Sequence, residues 1–103
     1  IRDSNKLQLD GTCDEIMPNI DLGKRFEAFG YEVFYIDGHN MEEIVATLDK
    51  IRASHNNLPK AIIADTIKGR GVSFMENQLG WHGVAPNDEE YKQAMEELDG
   101  GLK

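Results

Sequence analysis

The sequence predicts an α/β fold: part of a parallel sheet flanked by helices. Three observations predict it. Residues 31–37 (YEVFYID) and 61–67 (AIIADTI) are short, continuously apolar runs, the signature of strands covered on both faces. Segments with the apolar period of a helix precede, separate and follow them. Each junction carries turn chemistry, so the elements alternate as in a βαβ arrangement.

The elements follow in order. Leu22, Phe26 and Phe29 stand at i, i+4 and i+7 and give one apolar face to a helix that Asp21 caps. Gly30 sits where a left-handed helix stop is wanted. Strand 31–37 runs into the turn Gly38, His39, Asn40. Asn40 and Glu43 form a capping pair for a second helix, with Met41, Ile44, Val45, Leu48 and Ile51 at helical spacing. Asn56, Asn57 and Pro59 end it before strand 61–67. The last helix starts after Pro86, with Asn87 as cap and Glu90 at its third position; its predicted buried face is Tyr91, Ala94, Met95 and Leu98. Its final residues are expected to fray. Two strands make a poor sheet, so a third is expected within residues 1–9. A right-handed crossover fixes the layout. Ligands of such sheets bind at the carboxyl ends of strands, which here feed residues 5–11, 37–40 and 68–83.

Composition narrows the function. The 103 residues fit one domain, 40% hydrophobic and 29% charged, as in a globular protein with a modest core. A net charge of −8 argues against nucleic acid and against an anionic membrane surface, both of which call for clustered Lys and Arg. Cys13 is the single cysteine, so neither an internal disulfide nor a CxxC metal site is available, and a cytoplasmic location is expected. No apolar run has membrane-spanning length. Ile1 opens the chain abruptly, without Met, and the chain reads as a piece of something longer.

The three loops carry the chemistry-bearing residues. Asn5 offers a neutral oxygen at a strand end, and the backbone carbonyl of Leu7 lies two residues on; magnesium takes such hard oxygen donors. The plainer role for Asn5 is a turn or cap. In KGRG, residues 68–71, small residues let backbone amides approach an anion, while Lys68 or Arg70 neutralises phosphate charge. The plainer role is a tight turn with solvated basic side chains; no Walker spacing is present. FMENQLGWHG, residues 74–83, places the only tryptophan beside His82, between glycines, on a stretch expected to be neither helix nor strand. Histidine there can donate to phosphate or exchange a proton near neutral pH. His39 reads as a turn residue and His55 as a solvated helix end. Glu89, Glu90, Glu96 and Glu97 read as a solvated helix face.

Taken together, DSNKLQLDG, RFEAFGYEVFYIDGHN, AIIADTIKGRGVSFMEN and GWHG occur in an order that resembles the thiamine-diphosphate-binding domain of transketolases, over nearly the whole chain. The exit from WHG into an acidic helix is similar to the smaller, N-terminal subunit of two-chain transketolases. The resemblance implies transfer of a two-carbon ketol unit between sugar phosphates, with thiamine diphosphate held through Mg2+ or another divalent cation. It implies that Asn5 and the Leu7 carbonyl are metal ligands, that Lys68 approaches the cofactor, and that His82 contacts the diphosphate and lies near the reacting sugar, as both cofactor-binding and catalytic residue.

The departures define what is missing. No Gly-Asp-Gly turn occurs, so the expected aspartate ligand is absent. The glutamate that activates the cofactor's pyrimidine ring belongs, in the family, to another domain across a dimer interface. Residues 1–103 therefore read as the C-terminal part of a thiamine-diphosphate-binding domain, an incomplete copy of that fold. Its partners would be the remainder of the domain and the pyrimidine-binding domain or subunit, in a homodimer or heterotetramer, and the chain alone is expected to be inactive. The alternatives are deoxyxylulose-phosphate synthase, a non-catalytic α/β module and a 2-oxoacid dehydrogenase E1 subunit.

Overall fold

The structure is a computed structural model that describes residues 1–18 and 21–101. The chain forms two compact units: Ile1–Asn5 with Met17–Thr66, and Lys6–Ile16 with Ile67–Lys103. The expected fraying of the C-terminus falls on Leu102 and Lys103, outside the described residues.

The first unit is built on a three-stranded parallel sheet in the order β1-β5-β4, where β1 is Arg2–Ser4, β4 is Glu32–Asp37 and β5 is Lys60–Asp65. The third strand expected near the start of the chain is thus present and pairs with β5. Strand alternation explains how the sheet takes two helices. Phe34 and Ile36 share one face of β4 and pack with Ile62 and Ala64 against Ile44 and Ile51 of helix α3, Met41–Ala53. Tyr35, on the opposite face, reaches helix α2, Leu22–Ala28, where a Cβ added to the buried Gly23 would meet its hydroxyl. Gly23 is therefore a contact point that the apolar period did not reveal.

The caps form as the sequence predicts. Asp21 accepts from Lys24 N at 3.2 Å and Asn40 from Glu43 N at 3.2 Å, and Gly30 takes φ 83°. Glu43, however, turns its carboxylate to Asp37 N instead of closing the box on Asn40. Two of the predicted apolar faces are only half used. Leu22 and Phe26 are partly buried, but Phe29 is 82% exposed; Ile44 and Ile51 pack inward, but Met41, Val45 and Leu48 are exposed. Strand β5 stops at Asp65, two residues before its predicted end, because Gly38 N takes the Asp65 carbonyl at 2.8 Å and the Thr66 hydroxyl turns to the Asp3 carboxylate.

The second unit holds a two-residue antiparallel hairpin, β2 (Leu7–Gln8) with β3 (Gly11–Thr12), the short helix α1 (Cys13–Ile16), a one-turn 3₁₀ helix (Leu79–His82), and helix α4 (Asp88–Gly101). Residues 5–11, expected as one extended run, thus contain a hairpin. Reciprocal caps start both α-helices. Thr12 exchanges bonds with Glu15, and Asn87 accepts from Glu90 N at 2.9 Å while Glu90 accepts from Asn87 N at 2.8 Å. Among the described residues no helix is long and apolar enough to cross a membrane.

The inward face of α4 matches the predicted one only at Ala94, its one buried residue. Glu90 and Glu97, at i−4 and i+3 from it, are partly buried, whereas Tyr91, Met95 and Leu98 are exposed. The reason is polar: Glu90 accepts from Asn87 N in the helix cap, and Glu97 accepts from the Ser73 amide of the loop.

Two tests follow for the full-length protein. Gly69 has φ +73° and its absent Cβ would lie 2.5 Å from the Met75 carbonyl oxygen. Gly69→Ala should lower stability by about 1–3 kcal/mol in denaturant titration, and an unchanged midpoint would contradict the close approach. Second, Glu15, Asp21, Glu32 and Glu97 are each held below the ordinary carboxylate value by hydrogen bonds from Thr12, Lys24, Asn56 and Ser73 respectively. Depressed carboxylates add stability that is present above their unfolded pKa and lost as pH falls through the folded one. The melting temperature should hold between neutrality and the unfolded values of 4.5 and 3.8, then fall below them; a melting temperature that rises on acidification would refute this.

Candidate functional site

In the first unit the carboxyl ends of the strands stand in register, with Ser4 opposite Asp65 and Asp65 opposite Asp37. Asn5, partly buried, follows β1 directly. Gly38 permits the turn after β4 to lie on the end of β5: a Cβ there would be 2.4 Å from Thr66 Cγ2 and 3.1 Å from the Asp65 carbonyl oxygen. Asp37 accepts from His39 N at 2.8 Å, so His39 is an exposed turn residue as expected; His55, just past α3, is exposed too.

The chain bends at Lys6, whose φ is 63°, a left-handed value unusual for a residue with a side chain. Its carbonyl accepts from Cys13 N at 2.9 Å, and Leu7 enters the hairpin opposite Thr12. Of the two expected metal-ligand residues, Asn5 belongs to the first unit and Leu7 to the second, as do Lys68 and His82. Among the described residues no three His, Cys, Asp or Glu side chains gather in a way that could hold a metal.

Residues 68–77 form a closed loop, because Asn77 N donates to the Lys68 carbonyl at 2.9 Å. Gly69 and Gly71 take φ of 73° and 94°, and Asn77 takes 56°. Within the loop Arg70 N binds Ile67 O, Val72 N binds Gly69 O, and Gly71 N binds the Glu76 carboxylate at 3.1 Å. The amides of Arg70, Gly71 and Val72 are thus committed, and KGRG takes the plainer of its two expected roles, a tight turn, over that of a row of anion-facing amides. Arg70 lies 3.9 Å from Glu76. Lys68 is partly buried at the point where the loop closes.

FMENQLGWHG is also more ordered than expected, since Leu79–His82 winds into a 3₁₀ turn. So short a helix tolerates Gly80, because only one turn has to form. Trp81 is partly buried: its indole N–H donates to the Phe74 carbonyl at 3.1 Å, and the two rings meet edge to face at 5.4 Å and 61°. Trp81 does pack the loop down. His82, next in sequence, is exposed. Phe74, Gln78, Gly80, Trp81, Val84 and Glu90 line an open pocket of about 350 Å³.

Sequence reasoning passed over Ser73 and read Glu90 and Glu97 as part of a solvated helix face; Glu89 and Glu96 are exposed as expected, but Glu90 and Glu97 are partly buried, because each carboxylate accepts hydrogen bonds there. Ser73 donates twice to Glu97, from its backbone N at 2.5 Å and from Oγ at 2.7 Å, and Gln93 Nε2 donates to the same carboxylate at 2.8 Å. The Ser73 amide, then Gln93, then the Ser73 hydroxyl hold the Glu97 carboxyl below its ordinary pKa. The available signal was the i, i+4, i+7 spacing of Glu90, Ala94 and Glu97, which an apolar criterion discards.

Residues 1–101 match the family described as the transketolase, thiamine diphosphate binding domain. The chain is 42% identical over 98 residues to an apulose-4-phosphate transketolase subunit of Actinobacillus succinogenes, covering 95% of this chain and 35% of that one. It is 40% identical over 97 residues to the 6-deoxy-6-sulfo-D-fructose transketolase subunit SqwG of a Clostridium species, with 94% and 35% covered. Against human transketolase it is 45% identical over 60 residues, 58% of this chain and 9% of that one. The crystal structure of transketolase from Campylobacter jejuni superposes with a TM-score of 0.84 at 34% identity, covering 94% of this chain and 15% of that one. The chain spans about a third of the length of the two subunit relatives. With its parallel sheet and its WHG turn, the chain belongs to the transketolase family, within the thiamine-diphosphate-binding domain.

Proposed function

We propose that this chain supplies part of the magnesium–thiamine diphosphate site of a two-chain transketolase, which moves a two-carbon ketol unit from a ketose to an aldose phosphate. The observation that carries the proposal is the family match across residues 1–101, in which Asn5, Lys68 and His82 fall in the segments that bear the resemblance. Relatives named as transketolase subunits support a second chain as partner. The named sugars of those relatives end in a phosphate or a sulfonate, so a ketose with a terminal anion is the substrate class proposed here.

The donor chemistry fits the group. The Asn5 side-chain oxygen and the Leu7 carbonyl are hard, neutral oxygens suited to Mg2+, and these two residues would hold the ion. The sequence has no Gly-Asp-Gly aspartate, so further donors would be needed. Bound there, thiamine diphosphate supplies the nucleophilic carbon of the reaction. Lys68 carries the positive charge that offsets phosphate, and His82 donates a hydrogen bond or exchanges a proton beside the sugar. Cytoplasmic residence suits the unpaired Cys13.

The full-length protein with its partner subunit tests each assignment. Asn5→Ala should weaken Mg2+-dependent cofactor binding about tenfold or more; an unchanged cofactor titration would remove Asn5 from the metal site. His82→Ala should reduce turnover by about a hundredfold or more while cofactor affinity changes less, and full activity of that variant would end its proposed role. Ketose and aldose phosphates should be converted in preference to pyruvate, whereas exclusive use of pyruvate would reassign the chain to another thiamine-diphosphate enzyme.

A further inference from the structure

The loop that carries Lys68 and leads to His82 is tethered at one point by a side chain of another element. Glu97 of α4 grips Ser73 through both its backbone N and its Oγ, at 2.5 and 2.7 Å. Ser73 follows Val72, a buried residue of this unit at 6% exposure, and precedes Phe74. The Phe74 carbonyl and ring hold Trp81, and Trp81 precedes His82 within one 3₁₀ turn. On the other side of Ser73, Val72 N binds the Gly69 carbonyl, and Lys68 closes the loop onto Asn77. Glu97 is partly buried, and Gln93 steadies its carboxylate one turn away. A chain of bonded and packed groups therefore runs from Glu97 to Lys68 and to His82.

We propose that Glu97 is a positioning residue for the transketolase reaction: its two-point grip on Ser73 sets the conformation of residues 68–82 and, through the Phe74–Trp81 contact, the placement of His82. The inference rests on the reading of His82 as a site residue given above. A carboxylate is the side chain suited to this task. It accepts both Ser73 donors at once, whereas an amide has one accepting oxygen and would turn an N–H toward a donor. Gly69 and Gly71, at φ of 73° and 94°, leave the loop's backbone with many accessible conformations, so an external anchor has conformational freedom to remove.

The experiment uses the full-length protein with its partner subunit, loaded with thiamine diphosphate and Mg2+. It compares wild type with Glu97→Gln, Ser73→Ala, Ser73→Thr and the double variant Ser73→Ala/Glu97→Gln. Hydrogen exchange over residues 68–82, kcat and KM for a ketose phosphate, and the melting temperature are measured. Glu97→Gln should speed exchange at Ser73 and Phe74 and at the Trp81 turn, and lower kcat about tenfold, since small misplacements of reacting groups cost rates of this order. KM should change less. Ser73→Thr, which keeps the hydroxyl, should restore wild-type behaviour, and the double variant should be no worse than the poorer single one because the two residues act as a pair. Additive losses, or faster exchange with kcat intact, would overturn the proposal. So would a fall in kcat matched by an equal fall in melting temperature with exchange over 68–82 unaltered. His82→Ala in the same series separates the premises. If His82→Ala is fully active, the site assignment fails, while the exchange data still decide whether Glu97 governs the Trp81 turn.

Discussion

Strand β5 is the element on which the first unit depends. It is the only strand of the described sheet paired on both sides, with three residues of β1 along one edge and six of β4 along the other. Parallel strands cannot pair through a tight turn, so neither β1 nor β4 has another way to satisfy its backbone within this sheet. The composition of β5 follows from that position. Ala61, Ile62 and Ala64 are all buried, and among the described residues no other element has as many buried positions. Its end matters equally. Because Asp65 gives its carbonyl to Gly38 and Thr66 turns to Asp3, all three strands stop on one line, and Asn5 is delivered at that line.

In the second unit the governing constraint is loop closure. Left-handed backbone at Gly69, Gly71 and Asn77 folds residues 68–77 into a ring closed by one backbone bond. Glycine removes the steric cost at two of those positions, and asparagine is among the side chains that tolerate the third. What remains is loss of freedom, which the ring offsets with polar contacts instead of apolar burial: Glu76 takes Gly71 N, Glu97 takes Ser73, and the Trp81 indole takes the Phe74 carbonyl. Val72 is the one buried apolar residue of the loop itself. That balance explains why the helix packed beside it turns the Glu97 carboxylate inward.

The same balance explains what could be read from the sequence and what could not. Local signals were reliable. Asp21, Gly30, Asn40, Asn87 and Glu90 perform the capping or terminating roles their chemistry suggests, because a cap is decided by atoms a few residues away. The identities of β4 and β5 were equally legible, in runs rich in apolar residues, whereas the β2–β3 hairpin was not. Helix faces were not. An apolar stripe predicts burial only if something covers it, and Phe29, Met41, Val45, Tyr91, Met95 and Leu98 are exposed in a chain spanning about a third of its longer relatives. In α4 the packed stripe is mixed, with Ala94 between Glu90 and Glu97, so the apolar period found only Ala94 of it. The bend at Lys6 was illegible for a different reason: lysine gives no hint of a left-handed φ, which its neighbours impose. Asn5, Lys68 and His82 could be singled out because their motifs are local strings; Ser73 and Glu97 could not, being 24 residues apart and informative only as a pair.

The pairing of Trp81 with His82 has a geometric basis. In a 3₁₀ helix successive side chains project about 120° apart, with three residues per turn. Fixing one residue of the turn therefore fixes the direction of the next without any contact to it. Trp81 is fixed twice, by a hydrogen bond and by an edge-to-face ring contact, both to Phe74. His82 can then remain exposed while its Cα–Cβ bond keeps a defined direction, as its proposed role would require. A longer helix would set direction as well, but it would bury its carbonyls in i→i+4 bonds and demand more than the four residues available between Gln78 and Gly83. Gly83 follows the turn directly as its C-cap. The tryptophan is thus the anchor through which a solvent-facing imidazole is aimed.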